Sequence, residues 1–217
     1  MGTITAKSII DKASIQLLDP SNTRWTRSEL LGWLNDGQRA LILAIPETSS
    51  ATSQVNTIAG ARQTIPSSAW LLLRVTRNMG TSGTTSGRFL EKITEEHLTK
   101  ANPTWTSDTA TLEAKAFAYT PLDKTVFWVY PPSVGGQKLE VIYSMIPVDM
   151  VSETDVITTQ DIYEPVLLDY VLYRACSKDA EYAAGVALAK NYLDSFQSFI
   201  AASQQNLKSD IVEMEKA

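Results

Sequence analysis

One cysteine and one histidine stand among the 217 residues. That is too few for an internal disulfide framework, a multi-cysteine zinc or iron–sulfur site, or histidine-rich metal chemistry, and no cofactor is expected. Ten glycines and nine prolines fall short of a fibrous or low-complexity chain. No run approaches the roughly 20 apolar residues of a membrane span, and residues 1–10 carry one lysine without the continuous apolar stretch of a secretory signal. A folded protein made in a reducing cytoplasm, with no membrane partner, is expected. Positive charge is also short: 19 Lys and Arg face 24 Asp and Glu, a net charge of -5, which leaves no global field for gripping nucleic acid. What is present, 44% hydrophobic and 20% charged residues, suffices for the core of one ordinary domain or two small ones.

The helical period governs both ends of the chain. Ala6, Ile9, Ile10, Ala13 and Leu17 recur at spacings of three and four, one face of a helix, and Asp19-Pro20 ends it. Thr26 stands three residues before Glu29, the spacing of a capping box. A second apolar stripe then runs through Leu30, Leu34, Gly37, Leu41 and Ile45 to Pro46. Asp161 and Glu164 repeat the capping spacing, with Pro165 in the first turn. The helix they open is apolar nearly all round, through Ile162, Val166, Tyr170, Tyr173 and Cys176 on one side and Leu167, Leu168, Val171, Leu172 and Ala175 beside them, so it is expected to be central. Small residues at Ala180, Ala183, Ala184 and Gly185 mark a corner before a last helix through Val186, Ala189, Leu193, Phe196 and Ile200.

Between these pairs, about 52–148, short β-branched and aromatic runs alternate with turn residues. Residues 55–58 and 62–65 read as a hairpin around Gly60, and 74–79 with 87–93 as a second pair across a mobile loop, 80–86. Thr94 caps a short polar helix. Residues 114–119, 125–130 and 139–145 read as an antiparallel meander with Leu139, Val141, Tyr143 and Met145 on one face. The fold class is therefore α+β: an antiparallel four-helix bundle formed by the N- and C-terminal helix pairs, with an inserted antiparallel β lobe. The expected parts are 1–50 and 151–207 as the helix pairs, 51–150 as the lobe, and 208–217 as a flexible tail.

No catalytic constellation emerges. A Ser-His-Asp or Cys-His set would have to use His97, which sits beside Glu95 and Glu96 on a polar helix and reads as a solvated surface residue. Cys176, amid apolar neighbours, reads as a buried thiol. The segment from Gly80 to Gly87 lacks the Lys-Ser or Lys-Thr pair of a phosphate loop. Trp70, Phe89, Trp105, Phe117, Tyr119, Phe127, Trp128, Tyr130 and Tyr143 read as core, with an exposed sugar-binding platform as the alternative.

The helical segments carry the remaining information. Arg24-Trp25-Thr26-Arg27-Ser28-Glu29-Leu30-Leu31-Gly32-Trp33-Leu34-Asn35-Asp36-Gly37-Gln38-Arg39 resembles the start of a family of head-to-tail adaptor, or connector, proteins of short-tailed (podovirus-like) phages. Asp169-Tyr170-Val171-Leu172-Tyr173-Arg174-Ala175-Cys176-Ser177-Lys178-Asp179-Ala180-Glu181-Tyr182 is similar to its second hallmark. Arg77-Asn78-Met79-Gly80, Asn102-Pro103-Thr104-Trp105 and Tyr130-Pro131-Pro132 follow in the family's order. The resemblance spans most of 4–206, although Cys176 occupies a place where the family more often has an aromatic.

The resemblance implies a structural virion protein rather than an enzyme. Its place is the head-tail neck, in a ring of about twelve copies under the portal protein. Its other face meets a tail nozzle or tube protein, and DNA passes through the lumen without sequence-specific binding. The tail beyond Lys208 matches no family pattern; from its own residues, Lys208, Asp210, Ile211, Val212, Glu213 and Met214 are candidate contacts with the portal, apolar side chains entering a groove and acidic ones meeting a basic rim, with a merely frayed terminus as the alternative. An oligomeric glycan- or ligand-binding module using the aromatic lobe is the alternative from another class, and an enzyme built on His97 is the third.

Overall fold

In the computed structural model, residues 2–120, 122–179 and 183–216 are described, with side chains described as far as Asn206. The protein is α+β, with five α-helices and two sheets among the described residues. The chain divides into two compact units, one formed by Met1–Ser49 with Pro147–Ala217 and the other by Ser50–Ile146.

The first unit is helical: α1 (Ala6–Gln16), α2 (Arg27–Ala44), α4 (Glu164–Lys178) and α5 (Ala183–Lys216). Ala6, Ile9, Ile10 and Ala13 of α1 are buried, as their spacing requires. The helix ends at Gln16, before Asp19-Pro20, because Leu18 turns into the left-handed region at φ 55°. At the start of α2 the Thr26 side chain accepts from the Glu29 N–H while the Glu29 carboxylate accepts from the Thr26 N–H, a complete capping box. Leu30, Leu34, Gly37, Leu41 and Ile45 are all buried. Helix α4 is the hub, touching α1, α2 and α5, and Val166, Leu167, Leu168, Val171, Leu172, Ala175 and Cys176 are buried along it. A single core holds residues from all four helices, with Phe196 representing α5. Ala180, Glu181 and Tyr182 lie outside the described residues. The corner beyond them is tight: a Cβ on Gly185 would lie 2.9 Å from the Asp179 carbonyl oxygen.

The start of α4 corrects one expectation. Asp161 does not cap the helix, which has Tyr163 at its N-cap and no side-chain cap bond. The Asp161 carboxylate instead accepts from the Thr3 N–H at 2.6 Å, the Thr3 hydroxyl and the Ile4 N–H. A 3-10 turn, Asp161–Tyr163, displaces it from the capping position and leaves Ile162 75% exposed.

The second unit holds β1 (Ser50–Asn56), β2 (Gly60–Thr64), β3 (Ala69–Asn78), β4 (Glu91–Lys92), α3 (Glu95–Ala101), β5 (Ala116–Ala118), β6 (Val126–Ser133) and β7 (Lys138–Met145). One sheet has the order β1-β7-β3, the other β2-β6-β5-β4. Both contribute to one apolar core, in which Leu139, Val141 and Tyr143 lie on a shared face with Met145 packed beside them. Thr94 caps α3 by accepting from the His97 N–H. The 74–79 and 87–93 pair forms in part, through an Arg77–Phe89 bridge and reciprocal bonds near Asn78.

Two expected hairpins do not form. β1 and β2 lie in different sheets, as do β6 and β7, so the links 57–59 and 134–137 cross between sheets. Buried polar side chains supply the reason. Gln63 accepts from the Ile58 N–H and donates to the Ile58 and Gly60 carbonyls, satisfying a link that no ladder serves. The Thr57 hydroxyl donates to the Gln137 carbonyl and accepts from Ser133, whose oxygen takes the Gly135 N–H. Gly60 and Gly135 adopt φ of +108° and +89° there, which glycine tolerates. The loop 80–86, expected to be mobile, is pinned: Lys138 donates to Ser82 O and Gln54 to Gly83 O.

Candidate functional site

The two segments that carry most of the resemblance meet along one seam of the helical unit. Trp25, 7% exposed, lies beside α4 and donates its indole N–H to the Ala175 carbonyl at 3.0 Å. That bond satisfies both the ring nitrogen and a carbonyl near the helix end. Arg24 spans to Asp179 at 2.6 Å, and Lys178 donates to Glu29 at 2.7 Å and to the Arg24 carbonyl at 3.3 Å. About two turns further along, Gly37 faces the Tyr170 ring closely enough that a Cβ would lie 3.0 Å from Cδ1. Tyr170 in turn packs edge-on to Tyr173 and Phe196.

A second line of contacts fastens residues 147–160, the return from the β unit, onto α2. Arg27 pairs with both Glu153 and Asp11. Asn35 exchanges hydrogen bonds with the Met150 backbone in both directions, Gln38 accepts from the Thr158 N–H, and Arg39 pairs with Asp149. Reading by elements missed this strap. The signal available was a pair of acids, Asp149 and Glu153, four residues apart in a segment with no helical period, able to answer Arg39 and Arg27.

The ion pairs hold their carboxylates below the ordinary range. Lys178, then the Thr26 cap, draws Glu29 down to about 2. The Arg27 guanidinium lowers Glu153, and hydrogen bonds from Lys7 and Arg27 lower Asp11. A carboxylate depressed by folding adds stability that is present above its unfolded pKa and is lost as pH falls through its folded value. For Glu29 that window runs from about 4.5 down to about 2. Glu29→Gln is therefore expected to lower the melting temperature at pH 7, and its difference from the parent should vanish by about pH 2. Melting curves across pH 7 to 2 check this; a difference constant with pH would mean that the Lys178 pair contributes nothing.

The β-unit motifs are also built into the framework. Asn78, 3% exposed, donates to the Arg88 and Ala114 carbonyls and accepts from the Ala114 N–H. Asn102 accepts from the Thr104 N–H and donates to Asp108. Trp105, 3% exposed, meets Tyr130 edge-on. Most of the aromatics are buried or half-buried, as alternation implies; Phe89 is the exception, 52% exposed beneath the Arg77 guanidinium.

His97 lies exposed on α3, at a cleft of about 410 Å³ whose lining includes Arg88, Glu91, Lys115 and Trp105. Cys176 is buried on α4, and burial raises its thiol pKa, so the two are on different units. Among the described residues no group of three or more His, Cys, Asp or Glu is placed to hold a metal ion, and no helix is long and apolar enough to cross a membrane. The backbone of α5 continues to Lys216. The side chains of Lys208, Asp210, Ile211, Val212, Glu213 and Met214 lie outside the described residues. Charge divides unevenly: residues 50–146 hold nine Lys and Arg with seven Asp and Glu, and the rest of the chain ten with seventeen.

An α+β protein whose most recognisable segments all serve its own framework fits a structural class. Residues 4–212 match the model of the SU10 adaptor protein family. The chain belongs to that family, and the resemblance read from its motifs holds at the level of a phage adaptor. No curated protein matches it significantly.

Proposed function

We propose that this chain is a head-to-tail adaptor of a short-tailed phage, a structural protein without enzymatic activity. About twelve copies form a ring below the portal, join the capsid to a tail nozzle or tube protein, and let DNA pass. The observation that carries the reading is the family match across 4–212. The helical unit, read as a four-helix bundle, supplies a rigid body. Its excess of acids, ten Lys and Arg against seventeen Asp and Glu, suits a surface that repels phosphates instead of gripping them. The ring assembles on the portal, because net negative charge disfavours association of free copies.

Residues 208–217 make the portal contact in this reading, through Ile211, Val212 and Met214 with Lys208, Asp210 and Glu213 around them. Deleting them is expected to leave the melting behaviour unchanged and to weaken attachment to portal-bearing capsids at least about tenfold. Co-sedimentation with such capsids, followed by particle imaging, tests both claims. Full attachment by the shortened chain would move the contact elsewhere, and no attachment by the full chain would remove the portal as partner.

A further inference from the structure

The two units use their cations differently. In the helical unit Arg24, Arg27, Arg39, Arg174 and Lys178 each have a carboxylate partner. In the β unit one ion pair forms among the described residues, Arg77 with Glu140 at 3.5 Å. Arg88 and Lys115 are exposed, and their side chains have no ion pair or hydrogen bond among the described residues. Their backbones are nonetheless fixed. The Arg88 carbonyl accepts from both the N–H and the side-chain amide of Asn78. Lys115 donates its N–H to the Tyr130 carbonyl at 2.7 Å and accepts from the Glu91 N–H at 3.1 Å. Both cations stand on the rim of the 410 Å³ cleft, with exposed His97 and Glu91 beside them. Its floor is apolar, made by the buried side chains of Leu98, Trp105 and Ala116. The volume falls within the range of about 300–1,000 Å³ typical of ligand sites.

We propose that this cleft binds an acidic peptide segment of the tail-side partner, with carboxylates on Arg88 and Lys115 and an apolar side chain on the floor. This rests on the adaptor reading, which gives the portal to residues 208–217 and leaves the β unit for the tail. That unit holds nine Lys and Arg against seven Asp and Glu, which suits an acidic partner better than the acidic helical unit does. The chemistry of the cleft selects a peptide among anions. A nucleic-acid strand brings a phosphate with every nucleotide, and the Glu91 carboxylate repels it; a peptide sets an acidic residue against the cations and an uncharged one against Glu91. Stacking of a base or a sugar needs an open aromatic face. Trp105 offers none: it is 3% exposed, donates its indole N–H to Thr99, and meets Tyr130 edge-on. Asn102, the lining amide, is committed to Asp108 and Thr104. The groups left free are a guanidinium, which takes a carboxylate on two parallel bonds, and an ammonium, which acts as a point charge, above a floor that an aliphatic side chain would cover.

The test uses the full chain in two settings. On portal-bearing capsids it is mixed with the purified tail protein of the same phage; free in solution it is titrated with a capped peptide of alternating glutamate and leucine, a short DNA duplex, or an acidic polysaccharide. Carbodiimide should join the Lys115 amine to a carboxylate of the tail protein, in an amide that mass spectrometry locates. Arg88→Glu with Lys115→Glu should weaken tail attachment and peptide binding about 100-fold. Its melting temperature and portal binding should stay unchanged, because neither side chain has a partner to lose. Glu91→Gln should act the other way and tighten peptide binding about threefold, a direction that a folding defect cannot produce. Undiminished tail attachment by the double variant, or links from Lys115 only to other adaptor copies, would overturn the cleft as the tail contact and leave the adaptor reading standing. Tighter binding of the duplex or the polysaccharide than of the peptide, followed at the His97 and Trp105 resonances, would overturn the peptide as ligand. A tail protein that never joins the parent particles would remove the adaptor reading and the tail-side source together, and failure of the peptide to bind would remove the acidic-peptide chemistry whatever the source.

Discussion

Asn78→Leu is expected to destabilise the β unit by about 3 kcal/mol or more, and so to lower its melting temperature by about 10 °C or more. The side chain substitutes for a missing strand neighbour: it donates to Ala114 O at 2.8 Å, accepts from Ala114 N at 3.0 Å, and donates to Arg88 O at 3.0 Å. Leucine matches the volume but strands the Ala114 N–H and C=O in a site only 3% exposed at Asn78, and each orphaned buried group costs about 1–3 kcal/mol. The Arg88 carbonyl keeps the Asn78 N–H, so the loss falls on Ala114. Asn78→Asp sharpens the test, because one oxygen still accepts from Ala114 N–H while the other faces two carbonyls. It should be worst when ionised and partly recover when protonated at acid pH. Thermal denaturation at pH 7 and pH 4 reads both variants; a leucine variant as stable as the parent would show that these bonds carry no net stability.

The helices were legible because their signals are local. The Thr26 and Glu29 pair, the stripe from Leu30 to Ile45, and the apolar girth of α4 each depend on residues within a few turns of one another, and each appears as the spacing required. Strand existence was legible for the same reason. Strand partnership was not: Gly60 and Gly135 take the positive φ of tight turns, yet the links they serve run between sheets. What redirects them is buried polar chemistry at Thr57, Gln63, Ser133 and Gln137, residues that composition places on a surface. Asp161 shows the same limit. Its spacing to Glu164 meets the capping rule, but Thr3 and Ile4, 157 or more positions away, offer it three donors, and a long-range partner outcompeted a local one.

The candidate site was legible in position but not in role. The resemblance picked out 24–39 and 169–182, and the structure brings Trp25 to Ala175, Arg24 to Asp179, and Glu29 to Lys178. These contacts explain why such residue types recur there without assigning them any partner.

Gly37 and Gly32 provide the second large effect, because they lie on one helix and should respond in opposite directions. Gly32 is exposed, with nothing within 4 Å of a Cβ built there, so Gly32→Ala should stabilise α2 by about 0.8 kcal/mol through propensity alone. Gly37 carries the same propensity penalty and is buried against Tyr170, whose Cδ1, Cγ and Cβ lie 3.0, 3.3 and 3.4 Å from the added carbon. The ring cannot retreat freely, since Phe196 and Tyr173 pack on it with centroids 5.2 and 5.8 Å away. Gly37→Leu therefore drives three further carbons into an occupied crossing between α2 and the hub helix, and overpacking of this kind costs about 1–3 kcal/mol or more beyond what propensity returns. A double-mutant cycle separates the crossing from any other defect. Tyr170→Ala alone should destabilise by opening a cavity, and combined with Gly37→Leu it should recover about 1 kcal/mol or more of coupling, because leucine then fills the vacated space. Additive effects in chemical denaturation would mean that Gly37→Leu acts on something other than this contact, and the close approach of α2 to α4 would lose its explanation for the glycine.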